Sequence, residues 1–357
     1  MKILTVLGAR PQFIKAGAVS RAILAAGIPE VIVHTGQHFD YNMSQVFFDQ
    51  MEIPLPDYNL DIHGLSHGAM TGRMLEAIEK VLLQEKPDLV LVYGDTNSTL
   101  AGALAAQKLG IPVAHVEAGL RSFNMAMPEE TNRILTDRIS SVLFCPTDIA
   151  VSNLKAEGFD NFGCTVLQTG DVMLDAAMYY GQYSHLKSSI IKDLKLTGSF
   201  VLGTVHRQEN TNNENNLRGI VEALNIIHGD MPVVVPLHPR TQKQISNLGL
   251  RVDFSVISPV GYFDMLELLK HCSLVLTDSG GLQKEAFFFG KSCLILRHET
   301  EWVELVEGGF NTLAGPEKQK IINEFRKMVM NHPDFSATLY GSGDASSQIV
   351  EYIRKSY

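Results

Sequence analysis

The stretch that decides the fold reads VLVYGDTNST at 90–99, IPVAHVEAGLRS at 111–122 and MPEETNR at 127–133. Three carboxylates, Asp95, Glu117 and Glu129, lie at or just beyond the ends of two apolar runs that are too short for helices. In an open parallel sheet the ligand site lies outside the carboxyl ends of the strands, so we expect these acids to face one cleft. Acids gathered in a cleft indicate proton-transfer chemistry.

The composition limits the classes of protein to which the chain can belong. Its 357 residues exceed one ordinary core and predict two domains, and 45% hydrophobic with 19% charged residues is typical of a soluble globular protein. The formal net charge of −9 argues against nucleic acid or an anionic membrane as a partner. An anionic ligand therefore needs a local positive cluster.

The cysteines and histidines bear on location and on metals. Four widely spaced cysteines without a CxxC motif predict reduced thiols and a cytoplasmic protein. The N-terminal apolar run is too short for a signal peptide, and no 18-residue apolar span follows. His34, His38, His63 and His67 have no acid or cysteine at ligand spacing, so we expect no metal and interpret them as polar loop residues.

Short β-branched runs alternate with amphipathic helical patterns, which predicts an α/β protein with two parallel-sheet, Rossmann-like domains. A polar boundary places the first domain at 1–170 and the second at 171–344. We expect the two domains to face each other across a cleft, and the last helix, 345–357, to cross back to the first domain.

The turn after the first strand is a candidate phosphate site. The strand ends at Gly8, and Arg10 and Lys15 follow at the start of a helix. A strand, a glycine turn and a helix N-terminus with two cations suit a phosphate, although an ordinary turn with solvated charges has the same pattern.

A second candidate phosphate site lies in LVLTDSGGLQKEA at 274–286. Gly280 and Gly281 let backbone N–H groups approach a phosphate, Ser279 can donate its hydroxyl, and Glu285 can accept from ribose hydroxyls. The alternative is a turn without a ligand.

Two acids occupy the first turn of the helix that Pro128 starts. Acids favour the helix dipole there, so we interpret Glu130 as a capping acid, while the spacing alone does not decide the role of Glu129.

Ten motifs carry a family resemblance: GARPQFIK, TGQH, YGDTNST, HVEAGLRS, PEETNR, HRQEN, HPRT, LTDSGGLQKEA, LRHETE and YGSGDAS. In this order they resemble the non-hydrolysing UDP-N-acetylglucosamine 2-epimerases over nearly the whole chain. The resemblance implies the glycosyltransferase B fold with UDP bound between the domains. The segments QHFDYNM, SFNMAMPEE, QKEAFFFGK and EWVELV are most similar to the bacterial UDP-2,3-diacetamido-2,3-dideoxyglucuronate 2-epimerases.

The resemblance implies an isomerase that inverts C2 of a UDP-sugar for surface polysaccharides such as lipopolysaccharide O-antigen. UDP is eliminated to leave a 2-acetamidoglycal and is then added back, which needs an acid and a base on opposite faces and no cofactor. Asp95, Glu117 and Glu129 match the acid/base positions. We therefore predict that Asp95→Asn, Glu117→Gln and Glu129→Gln fold normally and lose most turnover. A homodimer is also expected.

The remaining cations follow strand ends. His206 is either a core histidine or a ligand, and Arg207 beside it favours a phosphate ligand; we place His206 in the catalytic set. His238 and Arg240 are either ligands or ordinary loop residues. The candidates for binding UDP are Arg10, Lys15, His206, Arg207, His238, Ser279, Gly280 and Gly281. The resemblance implies that Glu285 holds the ribose and that the uracil lies near Tyr262 and Met265.

Other functions share parts of this pattern. A UDP-N-acetylglucosamine 2-epimerase that gives UDP-N-acetylmannosamine is the first alternative. A glycosyltransferase of the same fold would also bind UDP, but its chemistry does not use three acids. A sensor of nucleotide sugars would not need acids placed for proton transfer.

Departures from the family's motifs favour an acidic sugar. Gln12 and Lys284 each stand where the family has glutamate, and Trp302-Val303 stand in place of Arg-Pro. These motifs gain two positive units, which would favour a C6 carboxylate. The alternative is drift, with Lys284 on a solvent face and Trp302 filling core space.

One further departure concerns regulation. Relatives that act on UDP-N-acetylglucosamine are associated with an activating second substrate molecule near Gln37-His38 and Arg73. Here Phe39-Asp40-Tyr41 follow, where those relatives have arginine and then glutamine or glutamate. Asp40 would oppose an anionic activator, so we expect weak or absent activation.

Overall fold

The computed structural model describes residues 1–38, 48, 51, 53–331 and 333–357. The chain forms two compact units, and each is described here by itself. Unit 1 contains residues 1–178 and 338–357, and unit 2 contains residues 179–337. From the sequence, the chain is expected to leave the first domain after residue 170 and to return to it after residue 344. Phe39-Asp40-Tyr41, on which the regulatory prediction depends, lie outside the described residues.

Unit 1 is built on a parallel sheet of seven described strands in the order β3-β2-β1-β4-β5-β6-β7. The strands are β1 Ile3–Leu7, β2 Glu30–His34, β3 Tyr58–Asn59, β4 Leu89–Tyr93, β5 Val113–Val116, β6 Val142–Cys145 and β7 Thr165–Gln168. The helices are α1 Arg10–Ala25, α2 His67–Glu85, α3 Asn97–Lys108, α4 Pro128–Ile139, α5 Asp148–Ala156 and α6 Val172–Lys187. Helix α6 carries the chain into unit 2.

Unit 2 repeats this architecture with six described parallel strands in the order β10-β9-β8-β11-β12-β13. The strands are β8 Val201–Thr204, β9 Val233–Pro236, β10 Ser255–Ile257, β11 Leu274–Thr277, β12 Cys293–Ile295 and β13 Asn311–Leu313. The helices are α7 Ile190–Asp193, α8 Gln208–Thr211, α9 Glu214–Asp230, α10 Pro239–Asn247, α11 Tyr262–His271, α12 Gly280–Phe288, α13 Val303–Glu307 and α14 Lys318–Met330.

The C-terminal helix, α15 Ala345–Ser356, belongs to unit 1, as the sequence predicted. It packs on α1 and buries Ile349 and Ile353. The buried carboxylate of Asp175 accepts hydrogen bonds from the first backbone N–H groups of the helix, at 3.1 Å from Ala345 and 2.7 Å from Ser346. An acid at a helix N-terminus satisfies donors that have no partner within the helix.

The strands are apolar and rich in β-branched residues because helices cover both faces of each parallel sheet. In unit 1 the strand order reverses between β1 and β4, and in unit 2 between β8 and β11. Ligand sites of open α/β sheets lie at such reversals, outside the carboxyl ends of the strands. The α/β architecture that the sequence predicted is confirmed in both units. Within the described part of the chain, no helix is long and apolar enough to cross a membrane.

Candidate active site

Asp95 lies in the turn that ends the central strand β4. Gly94 precedes it with a φ of +62°, a left-handed conformation that glycine adopts without strain, and its N–H donates to the Val116 carbonyl at 3.0 Å. The Asp95 carboxylate is paired with the guanidinium of Arg133, whose side chain is 5% exposed. Arg133 lies on α4, and its neighbour Asn132 donates to the Asp95 carbonyl at 3.0 Å. Strand β4 and helix α4 therefore hold this acid together.

Glu117 follows β5 directly and has a φ of +71°, which is uncommon for a residue with a side chain. Its carboxylate is paired with the ammonium of Lys15 from α1, and both side chains are more than 90% buried. A β-carbon built on Gly94 would lie 3.2 Å from each charged group of this pair. The Lys15–Glu117 pair therefore packs on the turn that carries Asp95. A glycine is needed at position 94 both for its φ and for this close approach.

Glu129 and Glu130 differ in their surroundings. Glu130 is buried and accepts hydrogen bonds at 2.9 Å from Ser122 and Phe123 and at 2.7 Å from Arg133. It therefore holds the loop before α4 and also positions the partner of Asp95. Glu129 is half-buried, and among the described residues its carboxylate has no hydrogen bond or ion pair. It is thus the one predicted acid in this unit without a described ionic partner.

Gln12 connects the first turn of the chain to the end of β4. Its carbonyl oxygen accepts from the backbone N–H groups of Gly8 and Ala9 at 2.9 and 3.0 Å. Its amide nitrogen donates to the Tyr93 carbonyl at 2.9 Å and to the Thr99 hydroxyl at 3.0 Å. The side chain is 1% exposed, so these four contacts use its whole hydrogen-bonding capacity.

The first-turn cation Arg10 begins α1 and is half-buried. Its backbone N–H donates to Nδ1 of His38 at 3.0 Å, and the His38 N–H donates to the Gly8 carbonyl at 2.7 Å. The segment after β2 is thereby attached to the predicted phosphate turn.

In unit 2 the buried carboxylate of Asp278 organises the loop after β8. It accepts from the backbone N–H groups of His206 at 3.1 Å and Arg207 at 3.0 Å, and from the Asn210 amide at 3.2 Å. Nδ1 of His206 lies 3.2 Å from the same carboxylate, while 51% of the His206 side chain is exposed. Asp278 therefore fixes the orientation of a histidine whose ring reaches the surface of the unit.

The N-terminus of α12 has one closed and one open side. Gly280 faces the carboxylate of Glu301, since a β-carbon there would lie 3.2 Å from Oε1. Around Gly281 the structure places nothing within 4 Å of a built β-carbon, so the backbone is open to a ligand. The Trp302 indole N–H donates to the Gly280 carbonyl at 3.0 Å. The sequence predicted this helix terminus correctly, and the segment that supports it follows β12.

Lys284 is 1% exposed, and its ammonium lies 4.0 Å from the centroid of the Trp302 ring. The interpretation of Lys284 as a solvent-facing residue is therefore wrong. A cation over an indole face is attracted by the ring quadrupole, which stabilises this buried charge. Glu285, the predicted ribose ligand, is 8% exposed.

Tyr262 is a core residue, because 1% of it is exposed and the rings of Tyr180 and Phe263 lie 6.1 and 6.4 Å away. Its ring presents no accessible face for stacking on a base. Met265 is half-buried and remains the predicted contact.

His238 and Arg240 form a cap at α10. Nδ1 of His238 accepts from the Arg240 N–H at 3.2 Å, and the Arg240 guanidinium donates to Asn212 at 2.8 Å. His34 corrects the view of the early histidines as loop residues, because it lies on β2, is 4% exposed and stacks on Phe13 at 5.2 Å. Burial lowers the pKa of His34 to about 4. Across the described ranges, no group of three or more acids, histidines and cysteines is placed to hold a metal ion.

Comparison with known proteins places this geometry in a family. Residues 22–354 match the model of the family described as UDP-N-acetylglucosamine 2-epimerase. The chain belongs to the UDP-N-acetylglucosamine 2-epimerase family. It is 57% identical to the UDP-2,3-diacetamido-2,3-dideoxy-D-glucuronate 2-epimerase of Pseudomonas aeruginosa, over 99% of this chain and 100% of that protein. It is 42% identical to the UDP-N-acetylglucosamine 2-epimerase of Methanocaldococcus jannaschii, over 99% of both.

Solved structures of the family agree with the fold. The Methanocaldococcus jannaschii UDP-N-acetylglucosamine 2-epimerase, crystallised in complex with UDP-GlcNAc and UDP, superposes with a TM-score of 0.92 at 41% identity, covering 99% of this chain and 100% of that one. The predicted family, the glycosyltransferase B type of fold and the isomerase class are confirmed.

Within this epimerase family member, the roles of the individual site residues stay predictions. The structure brings Asp95, Glu117 and Lys15 together, and in unit 2 it brings His206 and Arg207 together. Sequence reasoning missed three residues that hold them, namely Arg133, Asp278 and Glu301. It gave Glu130 a structural role as a capping acid, but its carboxylate accepts from the loop at Ser122 and Phe123 and from Arg133. A usable signal for one pair was present, because Glu130 and Arg133 are three residues apart on α4 and so share a helix face.

Proposed function

We propose that this epimerase inverts C2 of UDP-2,3-diacetamido-2,3-dideoxyglucuronate to give the manno epimer. The observation that carries the reaction type is the packing of the Lys15–Glu117 pair on the turn of Asp95, which brings two acids to one switch point of unit 1. The support for the substrate is the 57% identity to the Pseudomonas aeruginosa enzyme that is named for it.

The C2 proton of a 2-acetamido sugar is not acidic, because C2 has no adjacent carbonyl group. The reaction therefore goes through elimination and re-addition of UDP, which needs a base and an acid. A carboxylate removes this proton, the C1–O bond breaks, and UDP departs with the bonding electron pair to leave a 2-acetamidoglycal. UDP then returns to C1 while an acid on the opposite face delivers a proton to C2. Asp95, Glu117 and Glu129 are the groups that we assign to these transfers.

Departing UDP gains negative charge on its diphosphate, and groups aimed at that charge lower the barrier. In unit 2 we assign this role to His206, Arg207 and the backbone N–H groups at Gly280 and Gly281. Helix α12 directs its positive end to this point, and its open side at Gly281 leaves room for a phosphate. The buried Asp278 keeps the His206-Arg207 loop in place.

Gln12 and Lys284, which replace glutamates of the family's motifs and favoured an acidic sugar in the sequence, have a different explanation in the structure. The amide of Gln12 is saturated by four backbone and side-chain contacts, and Lys284 is buried against Trp302. Both changes are accounted for by contacts within the protein. The uronate assignment therefore rests on overall similarity. The runner-up substrate is UDP-N-acetylglucosamine, which the Methanocaldococcus jannaschii likeness favours.

The test is incubation of the purified protein with each UDP-sugar in D2O, with the C2 proton followed by NMR. We expect deuterium at C2 in both epimers and a larger kcat/KM for the diacetamido-uronate. A C2 proton that survives turnover would exclude epimerisation and favour the glycosyltransferase. Equal kcat/KM values, or a preference for the neutral sugar, would transfer the assignment to the runner-up.

We further propose a cytoplasmic homodimer. The location is supported by Cys145, Cys164, Cys272 and Cys293, all of which are free thiols. The dimer is implied by the family resemblance and is measurable by light scattering coupled to size-exclusion chromatography.

A further inference from the structure

A buried network of charged side chains adjoins the acids of unit 1. His115 lies on β5, two residues before Glu117, and is completely buried. Its Nδ1 lies 2.7 Å from Oδ1 of Asp137, and its Nε2 lies 2.7 Å from the carbonyl oxygen of Gly94. The ring therefore connects helix α4 to the residue that immediately precedes Asp95.

The partners decide which ring nitrogens carry protons. A carbonyl oxygen only accepts, so Nε2 of His115 donates to Gly94. Burial by itself would raise the pKa of Asp137, but the hydrogen bond and charge of His115 and the charge of Arg121 lower it. Asp137 is thus a carboxylate. His115 sets one ring nitrogen against this carboxylate and the other against the Gly94 carbonyl, an arrangement that among side chains of this shape only histidine supplies.

The second oxygen of Asp137 holds the loop after β5. It accepts from the Arg121 guanidinium at 2.7 Å and from the Gly119 N–H at 3.1 Å. Arg121 is 4% exposed and closes the network on Glu157, with contacts of 2.6 and 2.9 Å. One buried carboxylate therefore reaches the residue before Asp95, through His115, and the residue two beyond Glu117.

Glu117 lies on backbone that needs such support. Its φ is +71°, and a residue with a side chain stays in this region only where its surroundings determine it, whereas Asp95 is tied to the network through the carbonyl of Gly94. We propose that His115, acting with Asp137, is a positioning residue that fixes the separation of Asp95 and Glu117 for the two proton transfers. This inference rests on the proposed function.

The competing view is that the network stabilises unit 1 and has no effect on catalysis. The two views predict different kinetics. A displacement of about 1 Å at a reacting group can cost about 100-fold in rate, whereas a loss of stability lowers the amount of folded enzyme without changing its turnover. The UDP-binding residues assigned to unit 2 are not in the network, so UDP affinity serves as an internal reference.

The experiment compares His115→Phe, which removes both ring nitrogens, with His115→Gln, whose amide can still donate to one acceptor. We expect kcat per UDP-binding site to fall about 10- to 100-fold in His115→Phe and less in His115→Gln. The Kd for UDP by calorimetry should stay within about twofold of wild type, and the fraction of turnovers that release free glycal and UDP should rise. The matched control is Asp175→Asn, another buried acid of unit 1, which should lower the melting temperature and keep kcat.

Each outcome decides the proposal. Wild-type kcat and glycal release in both His115 variants, with only a lower melting temperature, would overturn it. Failure of both variants to bind UDP stoichiometrically and melt cooperatively would also overturn it, because the network would then be a folding element. If wild-type enzyme itself exchanges no C2 proton in D2O, the proposed function fails and takes this inference with it. If wild type exchanges and the variants match it, only the positioning role fails.

Discussion

Neutralising Glu117 should cost stability as well as turnover, in contrast to the sequence-based expectation that all three acid variants fold normally. Glu117→Gln leaves the Lys15 ammonium more than 90% buried without its carboxylate. Removal of one partner of a buried ion pair costs about 3–5 kcal/mol, but the glutamine oxygen can still accept a hydrogen bond worth about 1.5–3 kcal/mol. We therefore expect a loss of about 1–3 kcal/mol, or roughly 2–12 °C in Tm for a unit of this size.

The same geometry provides a control variant and a double-mutant cycle. Glu129→Gln removes a carboxylate without a described ionic partner and should change the free energy of unfolding by less than about 0.5 kcal/mol. Lys15→Met should also be destabilising. The double variant Lys15→Met/Glu117→Gln should lose at least about 1 kcal/mol less than the sum of the two single losses.

Urea unfolding followed by circular dichroism is the suitable assay. The chain's one tryptophan, Trp302, lies in unit 2, so its fluorescence reports on the other unit and provides an internal reference. Equal midpoints for Glu117→Gln and Glu129→Gln, or strictly additive losses in the double variant, would refute the claim that the Lys15–Glu117 pair is a stabilising contact.

Three further predictions concern other sites. Burial lowers the pKa of His34 to about 4, so between pH 6.5 and 4 the unfolded chain binds a proton that the folded chain does not. The free energy of unfolding should therefore fall by up to about 1.4 kcal/mol per pH unit as the pH drops through this range. His34→Gln should flatten this slope in urea titrations at several pH values. Asp278→Asn sets a side-chain NH2 group, which cannot accept, against backbone N–H donors of the loop at His206. The loop should lose its fixed position, and UDP affinity measured by calorimetry should drop about tenfold. An unchanged Kd would contradict the view that Asp278 holds this loop in place. Lys284→Gln removes the cation from the face of Trp302 and should lower Tm while the ratio of kcat/KM for the uronate over the neutral sugar changes less than about threefold; a tenfold fall in that ratio would restore Lys284 as a substrate contact.

The positions of Asp95 and Glu117 could be predicted because they depend on local sequence. A short apolar run ends where the polar residues begin, and in a parallel sheet every such end lies at the same edge. The same rule found the His206-Arg207 turn and the N-terminus of α12. Chain order and strand period are enough for this step.

The partners of these residues could not be predicted in the same way. Asp95 meets Arg133, and Glu117 meets Lys15, across 38 and 102 positions of sequence. Such pairings depend on how α1 and α4 pack against the sheet. His34 shows the same limit, since the sequence places it at the end of the second strand but does not show that it is buried against Phe13. Residue type predicts which charges exist, and packing determines which of them meet.

This distinction changes how the departures from the family's motifs are to be interpreted. The sequence treats Lys284 in place of a glutamate and Trp302 in place of an arginine as two separate changes of charge. In this structure the two side chains are in contact, with the Lys284 ammonium 4.0 Å from the centroid of the Trp302 ring. A lysine over an indole is an attractive pair, so the two substitutions are better treated as one joint change than as two separate changes of charge. The positive unit that the two changes add lies on Lys284, within α12, at 1% exposure. Because the contact with Trp302 accounts for Lys284, the joint change gives no reason to prefer a carboxylate at C6 of the substrate over a hydroxymethyl group.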